Sequence, residues 1–257
     1  PVCVLGMGGY VTGPGGLAAR LAGVPLIIHE QNAVAGTANR ALAPIASRVC
    51  EAFPDTFAPS SKRRTTGNPV REELFLETPR AALHNRQPHL LVLGGSLGAE
   101  PLNKLLPEAI GLLAAELRPQ VFHQAGKQHA EITTERYQTQ GVSAEVAPFI
   151  KDMARAYGWA DLVVCRAGAL TISELAAAGL PALLLPLPHA IDDHQTRNAH
   201  YLADEGAAFL LPQATTGAAD LAARLTEVLM HTDRLKTMAV TARRLAKPDA
   251  TCSVVDI

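Results

Sequence analysis

The sequence predicts an α/β protein built from parallel sheets with helices on both faces. Three observations lead to this fold class. Short apolar segments alternate with helical patterns along nearly the whole chain, these segments are apolar at almost every position, and the residues that follow them are rich in glycine and polar side chains. Such alternation is typical of parallel sheets, and continuously apolar strands indicate sheets covered on both faces. Hydrophobic residues make up 48% of the 257 residues, so a sizeable core can form.

Nine strands are predicted, in this order: Val2–Leu5, Pro25–His29, Arg48–Ala52, His89–Leu93, Gln120–Gln124, Ser143–Ala147, Leu162–Cys165, Ala182–Leu185 and Ala207–Leu211. Eight helices are predicted to accompany them: Gly16–Ala22, Thr37–Ala46, Leu102–Leu117, Gln128–Thr139, Met153–Tyr157, Leu170–Ala178, Gln195–Glu205 and Ala218–His231.

A stretch between Pro54 and Gln87 interrupts this pattern, because it is rich in proline and poor in apolar residues. It is typical of a linker, and its basic run Lys62–Arg64 is interpreted as solvated surface. We therefore expect an N-terminal α/β domain at 1–66, a complete α/β domain at 67–240 and the start of a helical tail at 241–257. The first domain is expected to be incomplete, because a buried strand begins almost at residue 1.

Composition excludes several classes of function. Lys and Arg total 23 against 24 Asp and Glu, so the strongly basic footprint of a nucleic-acid-binding protein is absent. The longest apolar stretch, Leu175–Pro188, is short and interrupted by glycine and proline, so no membrane span is expected. The four cysteines form no C-x-x-C pair and are expected to be reduced and mostly in cores, as in a cytoplasmic protein.

Glycine-rich loops follow two predicted strands and lead into helices. Gly6–Gly16 follows the first strand, and Gly94–Ala99 follows the fourth. Backbone amides in such loops can approach a phosphate closely, and the helix start adds partial positive charge. A tight strand-to-helix turn would also require glycine in the first loop. The second loop reads G-G-x-x-G, which departs from the dinucleotide fingerprint and disfavours a nicotinamide cofactor.

Polar clusters follow three further strands. His29-Glu30-Gln31-Asn32 places four polar side chains at a strand end, where they either contact a ligand or form turn and cap contacts. Arg166–Glu174 offers hydroxyls and a carboxylate near a helix start, as a ribose diol would require. The alternative is a capping box. His189–Ala199 carries His and Asp at spacings that fit no standard metal site, so a polar helix start facing a ligand is expected.

Together these segments resemble the MurG family of glycosyltransferases over nearly the whole chain. The matching segments are Gly6–Gly16, His29–Asn32, Gly67–Arg71, Gly94–Ala99, Phe149-Ile150, Cys165–Glu174 and Asp193–Asn198. The resemblance implies the GT-B fold, in which two Rossmann-like domains face a cleft. It implies transfer of N-acetylglucosamine (GlcNAc) from UDP-GlcNAc to undecaprenyl-diphosphate-N-acetylmuramoyl-pentapeptide (lipid I), with inversion, in peptidoglycan synthesis. It also implies a peripheral position on the cytoplasmic side of the bacterial inner membrane, with cell-division proteins as further partners. No cofactor and no metal are implied.

The resemblance also assigns roles to individual residues. Donor contacts are expected from Asn32, Arg71, Ser96, Ile150, Ala169, Leu170, Thr171, Ile172, Ser173, Glu174 and Gln195. Within this set, Ser96 is expected at the phosphates, the Ile150 backbone at the uracil and Glu174 at the ribose. Gly8, Gly9 and Tyr10 are expected in the loop that holds the acceptor diphosphate.

The chemistry requires stabilisation of charge on the leaving β-phosphate and a base for the acceptor hydroxyl. The family's first glycine-rich loop, whose histidine is the main candidate base, has no match in this chain. Within the chain His29 is the candidate catalytic residue, with a structural role as the alternative, and Glu30 is a weaker candidate. Two other functions stay open: another UDP-sugar GT-B enzyme, such as an epimerase or small-acceptor transferase, and a nucleotide-sugar sensor without turnover.

Overall fold

The computed structural model describes residues 1–75, 86–95, 98–188 and 193–257. Its ten strands are β1 Val4–Gly6, β2 Leu26–Glu30, β3 Arg48–Glu51, β4 Arg63–Thr65, β5 His89–Leu93, β6 Gln120–Gln124, β7 Ala144–Ala147, β8 Leu162–Cys165, β9 Ala182–Leu184 and β10 Ala208–Leu210. Its helices are α1 Thr12–Leu21, α2 Thr37–Leu42, α3 Glu100–Gly111, α4 Ala130–Thr139, α5 Met153–Trp159, α6 Ala169–Ala178, α7 His194–Ala203, α8 Ala218–Met230, α9 Thr232–Arg244 and α10 Ala250–Val255. Two 3₁₀ turns cover Glu72–Leu74 and Ala115–Leu117. Within the described ranges, no helix is long and apolar enough to cross a membrane.

The N-terminal sheet contains four parallel strands in the order β1-β2-β3-β4. Helices α1 and α2 pack beside it, and the core between them includes Leu26, Ile28 and Leu42. Gly16 lies inside α1, where an added Cβ would meet Leu42 at 2.8 Å. A glycine at this position therefore lets the helix approach its neighbour closely.

The second sheet contains six parallel strands in the order β10-β9-β8-β5-β6-β7. One core cluster packs α5, α6 and α7 on one face, and a second packs α3, α4 and α8 on the other. The chain order reverses between β5 and β8, as it does in doubly wound sheets, where ligands bind beyond the carboxyl ends of the strands. The loops after β5 and β8 are therefore at the expected position for a ligand site.

The C-terminal segment returns to the connection between the two sheets. Gly67 has a φ of +83°, and an added Cβ there would lie 2.5 Å from Cβ of Lys247. Tyr201 of α7 packs edge-on against Phe53, and its hydroxyl donates to the carbonyl of Leu245. These contacts join α7, the connection and the segment before α10.

All nine predicted strands are present, but the interpretation of Lys62–Arg64 as solvated surface is wrong in part. Arg63 and Arg64 belong to β4, which pairs with β3, and the Arg63 guanidinium lies 3.6 Å from the buried carboxylate of Glu51. The strand escaped detection because it is short, basic and at a sheet edge, where charged residues are common.

Helix boundaries also differ from the predictions. α1 begins at Thr12, so the glycine loop is shorter than Gly6–Gly16 and its later glycines are helical. The predicted helix Leu102–Leu117 is divided into α3 and a separate 3₁₀ turn. α9 was not predicted, and it runs across the expected domain boundary at residue 240.

The prediction that the cysteines lie mostly in cores holds for two of the four. All four cysteines lie in described segments and are free thiols, with Cys50 and Cys165 buried and Cys3 and Cys252 exposed. Proximity to apolar residues in the sequence did not reveal which of the four side chains point outward.

Candidate functional site

The end of β2 carries His29 and Glu30, and both side chains are engaged inside the protein. His29 is fully buried, with Nε2 3.0 Å from the carbonyl oxygen of Gly67 and Nδ1 3.1 Å from the amide nitrogen of Gln31. Gln31 donates to Nδ1, so Nε2 carries the proton and donates to Gly67. Burial lowers the pKa of His29 below its usual 6.5. This geometry gives His29 the structural role that the sequence left open.

Glu30 organises the loop that follows it. Its carboxylate accepts from the backbone N–H groups of Asn32 and Gly36, each at 3.0 Å, and from the side-chain amides of Asn32 and Asn39. The residue is 3% exposed. Four donors occupy the two oxygens, so this carboxylate supports the loop and is poorly placed to take a substrate proton.

Asn198 on α7 joins the loop after β2 to the second sheet. Its Oδ1 accepts from the N–H of Ala33 at 2.7 Å, and its Nδ2 donates to Oδ1 of Asn32 and to the carbonyl of Ala167. Asn198 is fully buried. Asn32, a predicted donor contact, is therefore held at the junction of the two sheets by a residue to which the sequence analysis gave no separate role.

Asn68 forms a second junction of the same kind. Its Nδ2 donates to the carbonyl of Gln31 and to Oγ of Ser173, both at 3.0 Å. Its Oδ1 is buried without a hydrogen-bond partner among the described residues. The two asparagines bring the carboxyl end of β2 against the start of α6, so the polar segments after β2 and β8 line one cleft.

The start of α6 presents backbone N–H groups to this cleft. Its N-cap is Gly168, and no side chain in the described part of the chain caps it. The first three helical residues are Ala169, Leu170 and Thr171, whose N–H groups have no acceptor within the helix. An uncapped helix start attracts anions through these N–H groups and through the helix dipole.

Ile172 and Ser173 are placed differently from the preceding residues. Ile172 is fully buried in the core, and its N–H donates to the carbonyl of Gly168. The Ser173 hydroxyl donates to the carbonyl of Ala169 and accepts from Asn68. The structure therefore does not place either side chain as a ligand contact.

Glu174 lies in the second turn of α6, so the capping-box alternative is wrong. Tyr157 of α5, which is fully buried, donates its hydroxyl to Oε2 of Glu174 at 2.9 Å. Burial raises the pKa of Glu174, while the Tyr157 hydrogen bond and the charge of Arg71 oppose that change. Arg71 is half exposed, pairs with Glu73 at 3.6 Å and also acts on this carboxylate through its charge.

Ile150 and Gln195, two further residues predicted to contact the donor, lie at the rim of the second sheet. Ile150 is 5% exposed and follows β7, at one end of a groove of about 770 Å³ that runs between β7 and α5. Oε1 of Gln195 accepts from the N–H of Leu187 at 2.9 Å, which fixes the side chain at the start of α7. Ser96 lies outside the described residues, as do His189 and Asp192.

The predicted acceptor loop lies between β1 and α1. Gly8 and Gly9 have φ angles of +85° and +76°, a conformation that favours glycine. An added Cβ on Gly8 would lie 3.7 Å from Oε1 of Gln31, so this loop is next to the end of β2. Tyr10 is 90% exposed. The loop and the start of α6 thus flank the same polar strand end.

Acidic, cysteine and histidine side chains do not assemble into a metal site within the described ranges, where no group of three comes together. His123 lies on β6, the strand that pairs with β5, and its side chain is buried between Asn103 and Tyr137. Burial lowers the pKa of His123 to about 3. It therefore supports the junction of α3, α4 and β6 as a neutral ring.

Comparisons with known proteins agree on one family. Residues 1–51 match the glycosyltransferase family 28 N-terminal domain, and residues 89–253 match its C-terminal domain. A relative from Stutzerimonas stutzeri (strain A1501), named UDP-N-acetylglucosamine–N-acetylmuramyl-(pentapeptide) pyrophosphoryl-undecaprenol N-acetylglucosamine transferase, is 80% identical over all 257 residues, which span 72% of its length.

Solved structures support the same assignment. The crystal structure of Acinetobacter baumannii MurG matches with a TM-score of 0.88 and 48% identity, over 99% of this chain and 73% of that one. A spinosyn rhamnosyltransferase complexed with thymidine diphosphate matches with a TM-score of 0.63 and 17% identity, over 100% of this chain and 73% of that one. This second likeness concerns the fold alone.

Two parallel sheets that meet at a polar cleft, with an uncapped helix start on one side, define a glycosyltransferase of the GT-B fold. With 80% identity over its whole length to a named relative, the chain belongs to the MurG family of N-acetylglucosamine transferases. It is therefore a hexosyltransferase of peptidoglycan synthesis.

Proposed function

We propose that this protein transfers GlcNAc from UDP-GlcNAc to undecaprenyl-diphosphate-linked N-acetylmuramoyl-pentapeptide, with inversion at the anomeric carbon, to form lipid II. The reaction named for the Stutzerimonas stutzeri relative supports the substrates. The single structural observation that supports the donor site most strongly is the uncapped start of α6 next to Glu174, at the junction of the two sheets.

In this proposal the donor lies along the start of α6. N–H groups of Ala169, Leu170 and Thr171 contact the nucleotide diphosphate, and Arg71 adds positive charge on the same side. Glu174 accepts hydrogen bonds from the ribose hydroxyls. The backbone of Ile150 contacts the uracil, and Asn32 and Gln195 contact the sugar. Ser96 contributes a further phosphate contact.

The acceptor diphosphate occupies the loop of Gly8, Gly9 and Tyr10, on the opposite side of the cleft. The acceptor hydroxyl attacks the anomeric carbon, the bond to the UDP oxygen breaks, and a base takes the hydroxyl proton. Because His29 and Glu30 are fully engaged with protein groups, we assign the base role to neither of them. Their role is to hold the strand end that separates donor from acceptor.

Charge that develops on the leaving diphosphate is stabilised by fixed dipoles in this proposal, with no metal cofactor. A preorganised donor of this kind contributes roughly 3–4 kcal/mol to a transition state. We expect transfer rates to change less than about twofold on addition of EDTA, a metal chelator. A loss of activity that Mg²⁺ or Mn²⁺ restores would contradict this part of the proposal.

The lipid-linked acceptor implies work at a membrane surface, and we propose a peripheral position on the cytoplasmic face of the inner membrane. Tyr10, Val11, Leu17 and Leu21 are exposed apolar side chains near the acceptor loop, and Arg20 lies among them. Such a combination favours contact with an anionic lipid surface. The same proposal includes contacts with cell-division proteins, through which the enzyme influences cell shape.

The test is transfer of labelled GlcNAc from UDP-GlcNAc to a lipid I analogue, together with calorimetric titration of UDP-GlcNAc. We expect donor binding and a labelled lipid product. Donor binding without product would instead support a nucleotide-sugar sensor, and release of a 2-epimerised sugar would support the epimerase alternative.

A further inference from the structure

The nucleoside end of the proposed donor site has a buried tyrosine behind its carboxylate. Tyr157 is fully buried in the largest core cluster, and its hydroxyl donates to Oε2 of Glu174 at 2.9 Å. Glu174 itself is only partly buried, on the second turn of α6. One partner of this hydrogen bond is therefore held by core packing, while the other reaches the cleft.

The chemistry of the pair is asymmetric. A tyrosine ring held in a packed core has a fixed orientation, whereas a glutamate side chain has three rotatable bonds. An ionised carboxylate offers about four acceptor positions, of which the tyrosine uses one. A vicinal diol such as that of ribose needs two acceptor positions in a defined direction, so anchoring one oxygen lowers the entropy lost when the diol binds.

We propose that Tyr157 is a positioning residue for nucleoside recognition, whose hydroxyl holds Glu174 so that the carboxylate meets the ribose diol in one orientation. This inference rests on the proposed function, because Glu174 must face the ribose. It extends that function by naming a residue that does not touch the substrate. Through Glu174, this residue determines how strongly the site prefers a ribose with both hydroxyls over one without them.

The position of α5 strengthens the argument. This helix begins at Met153, three residues after Ile150, and Asp152 caps it by accepting from the N–H of Arg155 at 2.9 Å. The helix therefore connects the segment proposed to contact the uracil with the carboxylate proposed to contact the ribose. The segments proposed for base and ribose recognition therefore both lie next to α5.

The molecule supplies a matched control in Tyr137 on α4. Tyr137 is also almost completely buried, and its hydroxyl also makes a side-chain hydrogen bond, to Nδ1 of His123 at 3.0 Å. Replacement of either tyrosine by phenylalanine removes one buried hydrogen bond without changing the packing volume greatly. Only Tyr157 contacts the proposed donor site.

The experiment measures calorimetric dissociation constants for UDP and for an analogue that lacks both ribose hydroxyls. We expect Tyr157→Phe to weaken UDP binding about tenfold, on the scale of one buried hydrogen bond, and to change binding of the dideoxy analogue less than twofold. Tyr137→Phe should leave both constants unchanged. Equal weakening of both ligands by Tyr157→Phe, or no weakening of either, would overturn the inference.

Binding measurements on the wild type distinguish a failure of this inference from a failure of the proposed function. If the wild type fails to bind UDP, both fail. If it prefers UDP over the dideoxy analogue and Glu174→Gln removes that preference while Tyr157→Phe does not, the proposed donor site stands and the positioning role of Tyr157 is wrong.

A pH profile of UDP affinity gives a second readout that a purely structural role would not change. The groups that influence the pKa of Glu174 are Tyr157 from α5 and Arg71 ahead of the 3₁₀ turn, and the charge of Glu174 in turn raises the pKa of the buried Cys165 thiol at the end of β8. The tyrosine hydrogen bond favours the ionised carboxylate. We therefore expect the pH at which UDP affinity falls to be higher in Tyr157→Phe than in the wild type. In Tyr137→Phe this pH should be unchanged. An unshifted profile in Tyr157→Phe would count against the inference.

Discussion

The end of β2 and the start of α6 are both polar segments that follow a buried strand, yet they use their polar groups in opposite ways. At the end of β2, the side chains of His29 and Glu30 are occupied by hydrogen bonds within the protein. At the start of α6, the first turn has no side-chain cap among the described residues, and Glu174 reaches the cleft with one anchored oxygen.

The difference shows that a polar segment in the right place is not by itself a ligand site. A group whose hydrogen bonds are satisfied internally stabilises a loop, and its removal should reduce stability. A group held by a single anchor beside uncapped N–H groups can bind substrate, and its removal should reduce affinity. Four predictions test this division.

The largest effect is expected for Glu30→Ala. The substitution leaves the N–H groups of Asn32 and Gly36 without their acceptor inside the protein, and the amide of Asn39 keeps only its bond to the His29 carbonyl. Buried unpaired donors cost about 1–3 kcal/mol each when water cannot reach them, so we expect the free energy of unfolding to fall by about 3 kcal/mol in urea titrations. Glu131→Ala, at an exposed carboxylate on α4, is the control and should change stability by less than about 0.5 kcal/mol. A similar small change for Glu30→Ala would contradict the structural role.

The next effect is expected for Asn198→Ala, which removes the amide that joins the loop after β2 to α7. The N–H of Ala33 and the carbonyl of Ala167 lose their partner, so we expect a loss of about 2 kcal/mol in stability. Because the two sides of the cleft are then held less firmly, KM for UDP-GlcNAc should also rise. His200→Ala, at an exposed position on the same helix, is expected to leave both quantities unchanged. Unchanged KM in Asn198→Ala would show that this junction does not position the donor.

Glu174→Gln should affect affinity with little effect on stability. Glutamine retains an acceptor oxygen for Tyr157 but loses the charge, so we expect UDP-GlcNAc to bind about tenfold more weakly, a change of about 1.4 kcal/mol. Burial raises the pKa of Glu174. As the pH falls through that raised value the carboxylate takes up a proton, so wild-type affinity should fall at acid pH, and this dependence should be absent in Glu174→Gln. A wild-type affinity that is independent of acid pH would argue against a carboxylate contact.

The smallest effect is expected for His29→Gln. Burial lowers the pKa of His29 in the folded state below the 6.5 of an unfolded chain. Its contribution to stability is therefore present above pH 6.5 and is lost as the pH falls through the lowered folded value. We expect the substitution to reduce the stability lost below pH 6.5, while the pH profile of kcat keeps its shape. Loss of the fall in kcat at acid pH in His29→Gln would restore His29 as the base.

Much of the fold was predictable because parallel sheets require buried, continuously apolar strands. Strands such as β5 and β8 are recognisable from their own residues, since every position faces a covered sheet surface. β4 was not recognisable, because an edge strand of three polar residues is stabilised by its pairing with β3 and by the contact between Arg63 and Glu51. α9 was missed although its buried residues Leu235, Met238 and Ala242 have helical spacing, because most of its other residues are polar.

The candidate site was predictable to the level of segments. The glycine loops and the polar strand ends were identified because ligands in such sheets bind beyond the carboxyl ends of the strands. The roles of Asn68, Tyr157 and Asn198 were not, because each acts on a residue from 17 to 166 positions away in the sequence. No local pattern marks such a contact.

The sequence by itself determined which strands are buried, where the strand-helix pattern is interrupted and which polar segments follow the strands. These properties depend on neighbouring residues and on the periodicity of apolar side chains. Only the tertiary structure decided that Glu30 is saturated, that Ile172 faces the core and that Glu174 is anchored from behind by Tyr157. A hydrogen bond between distant segments depends on distances of about 3 Å, and only the packed chain determines these distances.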